Sequence, residues 1–278
     1  MPQITERSQR VLPVRVATSR VLSQRVSLWA GSRRIDFVTD VDWHEERKLL
    51  KVAFPVDVHA RRATYEIQYG HVERPTHENT SWDIARFEVC AHKWADLSET
   101  GYGVALINDC KYGYDIQGHV MRLSLLRAPL WPDPNADRGE HHFTYSLLPH
   151  PGPFTEAGVI ERAYELNVPV RAVPAAVHAG ARPPTQSLVR VDRPGVVIEA
   201  VKRADTGDAL VVRLYEAWGG RGPLQVDVGG MLGPGLGLVA AARTDLLERE
   251  LDAVAHSGTV VHLTLRPFEI VTLALRVG

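Results

Sequence analysis

Hydrophobic and polar residues alternate with a period of two along much of this chain. In residues 35–43, mainly apolar positions alternate with mainly acidic ones, and the alternation resumes in residues 49–56 after a charged cluster. Successive side chains of a strand point to opposite faces, so this pattern predicts two antiparallel strands with one face on a core. Four further segments repeat it: residues 65–69, 85–91, 103–108 and 119–126.

Helical patterns are scarce. Residues 156–167 are the best candidate, because Thr155 is placed to cap the first turn and one apolar stripe contains Val159, Ala163 and Leu166. Residues 245–253 are a shorter candidate without a clear stripe. Strands do not alternate with helices, which disfavours a doubly wound nucleotide-binding fold and predicts a mainly β protein.

The composition changes at residues 168–185, where four prolines stand among alanines. This change predicts a linker or crossing segment at residues 171–185. It separates a large β domain, residues 1–170, from a small C-terminal β-sandwich, residues 186–278. The small sandwich is predicted from renewed alternation in residues 196–201, 210–215, 224–228, 259–265 and 270–276.

Charge and composition exclude several partners. The chain has 32 basic and 33 acidic residues, a formal net charge of −1, which gives no global field for nucleic acid or an anionic membrane. Apolar stretches such as residues 236–242 are far shorter than the roughly 20 residues that span a bilayer. No secretory signal is visible, so we expect Cys90 and Cys110 to be buried thiols of a cytoplasmic protein.

One loop, within residues 106–115, is dense in groups that bind sugars. Asn108 carries an amide, Asp109 a carboxylate, Lys111 an ammonium group and Tyr112 a phenol. Polar groups beside an aromatic ring are typical of carbohydrate contacts, which makes this loop the first candidate site. The sequence fits equally well a purely structural loop, in which Asn108 starts an Asx turn that Gly113 closes.

Other candidates are weaker. His77 and Glu78 have acid/base groups and Trp82 has a ring for stacking, although a solvated loop around a structural Trp is commoner. Glycoside hydrolysis needs two carboxylates, but no spacing selects a pair, and the acidic face of residues 35–43 is typical of a solvated sheet edge. No metal site is predicted, because the adjacent His141 and His142 point to opposite faces of a strand.

Several long segments of the chain are similar to one family. These segments are residues 41–45 (VDWHE), 49–56 (LLKVAFPV), 65–70 (YEIQYG), 74–83 (RPTHENTSWD), 85–92 (ARFEVCAH), 108–113 (NDCKYG), 122–127 (RLSLLR), 201–204 (VKRA), 213–217 (RLYEA) and 266–270 (RPFEI). They resemble the C-terminal region of glycoside hydrolase family 38 α-mannosidases, in the cytosolic and vacuolar branch. The resemblance extends from about residue 28 to the C-terminus.

The resemblance implies a fold and a location for the family's catalytic residues. The fold is a large antiparallel β super-sandwich, of the galactose mutarotase type, followed by a small C-terminal β-sandwich. The family's nucleophile, acid/base carboxylate and zinc ligands lie in an N-terminal catalytic barrel that this chain lacks, whether one gene or two supply it. We therefore expect no catalytic residue and no metal here, an inactive isolated chain, and an exposed apolar patch where the barrel docks. Self-association is a further expectation.

In related enzymes the loop that matches residues 108–113 helps to shape the rim of the active site. The resemblance therefore implies a carbohydrate ligand and makes Asp109 and Lys111 rim residues, with Tyr112 and Asn108 beside them. A lysine near an active-site carboxylate would orient it and lower its pKa.

Two alternatives stay open. The first is a stand-alone carbohydrate-binding or mutarotase-like module, for which His77, His92 and Glu88 supply the histidine and carboxylate that such chemistry needs. The second is a β domain that serves assembly.

Overall fold

The computed structural model describes residues 10–11, 15–16, 19–177, 179–180 and 183–278. The chain divides into two compact units: unit 1 contains Met1–Gln68 and Val72–Ala172, and unit 2 contains Tyr69–His71 and Val173–Gly278. Within the predicted linker, residues 178, 181 and 182 lie outside the described part. Antiparallel strands dominate both units, and the predicted mainly β fold class is confirmed.

Residues 10–167 contain thirteen strands and two helices among the described residues. In chain order they are β1 (Arg10–Val11), β2 (Arg15–Val16), β3 (Ser19–Leu28), β4 (Ile35–Trp43), β5 (Leu49–Pro55), β6 (Arg62–Ile67), β7 (Gly70–Pro75), α1 (Ser81–Ile84), β8 (Val89–Cys90), β9 (Trp94–Glu99), β10 (Tyr102–Asn108), β11 (Gly113–Gln117), β12 (Val120–Arg127), β13 (Gly139–Pro151) and α2 (Val159–Asn167).

Two sheets pack face to face in unit 1. The larger has the order β1-β3-β4-β13-β10-β9-β6-β7, with β2 paired to β3, and the smaller has the order β5-β12-β11-β8. Their apolar faces meet in one core, which includes Trp43, Leu97 and Leu106 from the larger sheet and Tyr114 and Leu123 from the smaller. Burial of alternate side chains explains the period of two in the sequence.

β4 is not a sheet edge, contrary to the prediction, although the side chains of Asp40 and Asp42 remain 40% and 31% exposed. β4 lies between β3 and β13, and the buried carboxylate of Asp36 accepts hydrogen bonds from Arg34 Nε at 2.7 Å and Ser146 Oγ at 2.7 Å. Asp40 is bound by His142 and Ser23. Both hydrogen bonds lower the pKa of Asp40 below its usual value, and the bond with His142 has the larger effect. Polar partners on neighbouring strands therefore allow acidic residues inside the sheet.

The helix predictions were partly right. The helix predicted at residues 156–167 is α2, which begins later, after Gly158 in a left-handed conformation with φ 73°, and Thr155 does not cap it. Residues 245–253 are not helical. The Asp245 carboxylate accepts hydrogen bonds from the Leu247 and Arg249 backbone N–H groups and forms a turn before a strand.

Residues 190–277 form the second β-sandwich, as predicted. The strands are β14 (Arg190–Val191), β15 (Val196–Arg203), β16 (Leu210–Glu216), β17 (Gly222–Asp227), β18 (Leu238–Thr244), β19 (Glu250–Val254), β20 (His256–Ser257), β21 (Val260–Leu265) and β22 (Ile270–Val277). One sheet has the order β15-β16-β22-β18-β19 and the other β14-β17-β21-β20. They enclose a core that includes Leu214, Leu224, Val261 and Leu273.

A buried carboxylate fixes the turn after β16. Glu216 is 0% exposed, and it accepts hydrogen bonds from three backbone N–H groups, those of Trp218 at 3.2 Å, Gly220 at 2.9 Å and Phe268 at 3.2 Å. The guanidinium of Arg193 lies 3.6 Å away. Glu216 thus joins two segments, and the hydrogen bonds from their backbone donors offset the cost of burying its carboxylate.

We expect Glu216→Ala to lower the free energy of unfolding of unit 2 by about 2–4 kcal/mol, because it removes the acceptor of three backbone hydrogen bonds and the partner of Arg193. The matched control is Glu250→Ala, which removes an exposed ion pair with Arg276. We expect this control to change the free energy of unfolding by less than about 0.5 kcal/mol. Urea titration followed by hydrogen exchange of unit 2 peptides measures both. Equal effects of the two substitutions would contradict the role given to Glu216.

Candidate functional site

The predicted sugar-binding loop connects the two sheets of unit 1. β10 ends at Asn108 in the larger sheet, and β11 begins at Gly113 in the smaller. Residues 109–112 between them, here called the rim loop, are therefore positioned by both sheets. The loop starts against β13, where Asp109 N donates to Thr144 O and Asp109 Oδ2 accepts from Thr144 N at 2.9 Å.

The buried side chain of Asn108 shapes this loop. Its Nδ2 donates to His92 O at 2.9 Å and to Tyr114 Oη at 2.5 Å, and its Oδ1 accepts from Lys111 N at 2.5 Å. Asn108 thus turns the chain, as the structural interpretation expected, but its side chain bonds to the third residue on and not to the second as in an Asx turn. Since Asn108 is 0% exposed, it lies beneath the rim loop, whereas the exposed part is formed by the residues that follow it.

Helix α2 also contacts the base of the rim loop. Asn167 Nδ2 donates to Asn108 O at 2.9 Å, and the Lys93 ammonium group lies 4.6 Å from the centre of the Tyr164 ring. Lys93 also pairs with the buried Glu66 at 2.9 Å. Burial raises the pKa of Glu66, and the Lys93 charge opposes that rise. The base of the rim loop is therefore held by buried polar contacts.

The rim loop carries an exposed aromatic ring and a half-buried cation. Tyr112 is 54% exposed, and its ring lies 5.2 Å from that of His92. The Nε2 atoms of His92 and Gln68 are 3.3 Å apart. Lys111 Nζ lies 4.7 Å from the centre of the Phe143 ring. A phenol, an imidazole and an amide thus meet at one surface, which is a combination suited to binding sugar hydroxyls.

The sequence predicts Tyr112 and Lys111 in this loop but not Gln68 beside it, and it suggests His92 only for mutarotase-like chemistry. These residues come from β10–β11, from the β8–β9 connection and from the end of β6. No spacing along the chain signals their meeting, because it follows from the pairing of β6 with β9 and of β9 with β10.

Both cysteines are exposed, so the expected buried thiols were wrong. Cys110 lies in the rim loop. Partial burial, and then a hydrogen bond to Asp109, raise the pKa of the Cys110 thiol to about 11. The thiol therefore stays protonated near neutral pH.

The other candidate residues have separate partners. His77 pairs with Asp83 at 3.5 Å, Glu78 accepts from Gln117 Nε2 at 2.6 Å, and Glu88 accepts from Ser124. Several histidines outside this region also have their own partners, such as Asp96 for the buried His150. Within the described part of the chain, no group of three or more His, Cys, Asp or Glu residues could hold a metal ion. None of its helices is long and apolar enough to cross a bilayer.

Two family models match the chain. The family 38 C-terminal domain of the glycosyl hydrolases matches residues 3–135, which include the rim loop, and the family 38 C-terminal β-sandwich domain matches residues 195–273. The chain belongs to the C-terminal region of glycosyl hydrolase family 38.

Curated relatives of the family 38 chain are α-mannosidases. It is 48% identical over 268 residues to "Alpha-mannosidase 2C1" of Homo sapiens, a match of 94% of this chain and 25% of the relative. It is 46% identical over 201 residues to "Alpha-mannosidase G" of Dictyostelium discoideum, a match of 72% and 18%. The chain thus spans about a quarter or less of the length of these relatives.

Solved structures have the same fold as this family 38 region. An α-mannosidase from Enterococcus faecalis V583 superposes with a TM-score of 0.77 at 22% identity, over 91% of this chain and 28% of that chain. A family 38 protein from Enterococcus faecalis superposes with a TM-score of 0.75 at 21% identity, over 91% and 29%. The two-sandwich architecture is therefore found within larger proteins of this fold.

We expect Asn108→Ala to lower the free energy of unfolding of unit 1 by about 2–3 kcal/mol, because it removes the three hydrogen bonds of a buried amide, including the one that Lys111 N donates. We expect the same substitution to raise the rate of backbone hydrogen exchange in the rim loop. The control is Gln68→Ala, at an exposed position, with an expected change below about 0.5 kcal/mol. Unchanged exchange of residues 109–113 in Asn108→Ala would disprove the role of the buried amide.

We expect alkylation of Cys110 by iodoacetamide to accelerate about tenfold per pH unit until the pH approaches its pKa of about 11. Asp109→Asn removes the negative charge that favours the protonated thiol, so it speeds alkylation at pH 9. Mass spectrometry of the Cys110 peptide gives the rates. A rate that levels off below pH 9 would be inconsistent with this environment.

Proposed function

We propose that this chain is the non-catalytic C-terminal β portion of a retaining, zinc-dependent α-mannosidase that acts on terminal α-mannosides. The observation that carries the proposal is the match of 94% of the chain, at 48% identity, to a quarter of an α-mannosidase. The two family models, both of C-terminal domains, support the same assignment.

The proposal divides the reaction between two regions. A retaining glycosidase uses one carboxyl group as nucleophile and another as acid and base. We assign both, with the zinc ion, to the catalytic barrel outside this sequence. The described residues do not fit a metal, since they contain no suitable cluster of ligands. The isolated chain is therefore inactive under this proposal. Resemblance to the cytosolic and vacuolar branch supports a cytoplasmic location.

The rim loop supplies this chain's contribution at the active site. Asp109 is held against β13 by Thr144, and the exposed Tyr112 ring is next to His92. Lys111 carries a positive charge that favours the ionised form of a nearby carboxyl group. We propose that these three residues border the mannoside, with Asn108 fixing the loop below them. Self-association stays a prediction.

The test uses a chimera of human α-mannosidase 2C1 in which this chain replaces the region it matches. We expect the chimera to hydrolyse an aryl α-mannoside and the purified 278-residue chain to show no turnover. The control is the same relative without the replaced region, which we expect to be inactive. Turnover by the isolated chain, or an inactive but folded chimera, would contradict the proposal.

In the active chimera, we expect Lys111→Ala to lower kcat/KM about tenfold through loss of a charge near a reacting carboxyl group, a loss of about 1.4 kcal/mol. Lys111→Arg retains most of the activity because it keeps the charge. The control is Arg203→Ala, at a side chain that is 80% exposed in unit 2. A pH–rate profile decides the mechanism, since loss of the cation shifts the acidic limb to higher pH. Unchanged kcat/KM and pH profile in Lys111→Ala would remove Lys111 from the rim.

A further inference from the structure

Three large apolar side chains are exposed within six consecutive residues of unit 1. Trp82 is 75% exposed, Ile84 57% and Phe87 66%. They lie on α1 and on the connection to β8, and α1 contains no buried residue. Residues 82–87 are here called the apolar segment. The helices of a globular protein ordinarily bury their apolar residues against the core. Here the apolar residues face solvent instead.

Polar contacts fix the apolar segment to unit 1. Thr80 and Asp83 form a capping box, in which Asp83 N donates to Thr80 Oγ1 at 3.1 Å and Thr80 N donates to Asp83 Oδ2 at 3.2 Å. Just after the segment, Glu88 accepts a hydrogen bond from Ser124 in β12. Both ends are thus held by hydrogen bonds, while the apolar side chains point to solvent. The exposure belongs to an ordered conformation.

The apolar segment is continuous with the rim loop. It leads directly into β8, where Cys90 pairs with Gly113 and Val89 with Tyr114. Immediately after β8, Ala91 N donates to Tyr112 O at 3.0 Å. The backbone that follows the segment is therefore bonded to the rim loop, and both belong to unit 1.

We infer that the apolar segment is a docking surface for the catalytic region of an α-mannosidase. This inference rests on the proposed function, since about three quarters of the length of the relatives lies outside the match. Its continuity with the rim loop, which borders the mannoside in that proposal, favours the catalytic region as occupant. Exposed apolar patches of this kind mark interaction surfaces.

The exposed area supports a large partner. Three such side chains present an apolar area on the order of 400 Å², whereas a stable interface buries roughly 800 Å² on each partner. The apolar segment is therefore one part of a wider contact that includes neighbouring residues. A sugar that stacked on Trp82 and Phe87 would leave the exposure of the aliphatic Ile84 unexplained, so a protein surface fits the composition better.

Thiol labelling tests the docking surface in the chimera of human α-mannosidase 2C1. Ile84→Cys places a thiol on the apolar segment, and Leu247→Cys is the matched control at an aliphatic residue that is 71% exposed. A maleimide is added to each variant, as the 278-residue chain and as the chimera, and mass spectrometry of the relevant peptide gives the rate. We expect Ile84→Cys to react at least tenfold more slowly in the chimera, and Leu247→Cys to react equally in both.

The outcomes separate this inference from the proposed function. An active chimera in which Ile84→Cys reacts as fast as in the isolated chain overturns the docking surface and leaves the proposed function intact. An inactive, folded chimera overturns the proposed function. Equal slowing at Leu247→Cys also counts against the docking surface, because the protection is then not specific. Protection of the isolated chain that rises with its concentration assigns the surface to a second copy, and protection by methyl α-mannoside assigns it to a sugar; both results overturn the inference.

Discussion

The buried amide of Asn108 holds the chain where it passes from one sheet of unit 1 to the other. At such a crossing the backbone leaves one ladder of hydrogen bonds before it joins the next, so its polar groups need other partners. Asn108 bonds to His92, Lys111 and Tyr114. One side chain thereby ties a strand connection, a loop and the second sheet together, and the exposed residues of the rim loop depend on that arrangement.

Much of the fold was predictable because its strands bury one face. β12 and the second half of β4 alternate in burial as their sequences alternate in polarity, whereas β10 is apolar and buried almost throughout. β9 and β13 were missed for a physical reason. β9 contains the buried Asp96, whose carboxylate bonds to the buried His150 of β13 at 2.7 Å. Each polar residue breaks its own strand pattern, and only the pairing makes its burial favourable.

The site was predictable only in part, for a related reason. A loop rich in polar and aromatic groups is visible in sequence, and so is the tendency of Asn108 to form a turn. Which residues of this loop are exposed depends on tertiary contacts and cannot be predicted from the local sequence. Asn108 is buried because Tyr114 and His92 lie beneath the loop, and Gln68 reaches the surface through strand order. The sequence predicts a loop around a structural Trp at residues 76–83 and a strand at residues 85–91, whereas the structure leaves Trp82 exposed and limits the strand to Val89–Cys90.

Under the proposed function, this chain acts on the reaction through the position of its residues. Catalysis depends on placing reacting groups to within about an ångström, and remote misplacement can cost on the order of 100-fold in rate. In this chain the rim loop and the apolar segment are joined through β8 and β11. A partner that covers the segment would therefore fix the rim loop relative to itself through hydrogen-bonded strands. Rigid β pairing transmits position better than a flexible loop does.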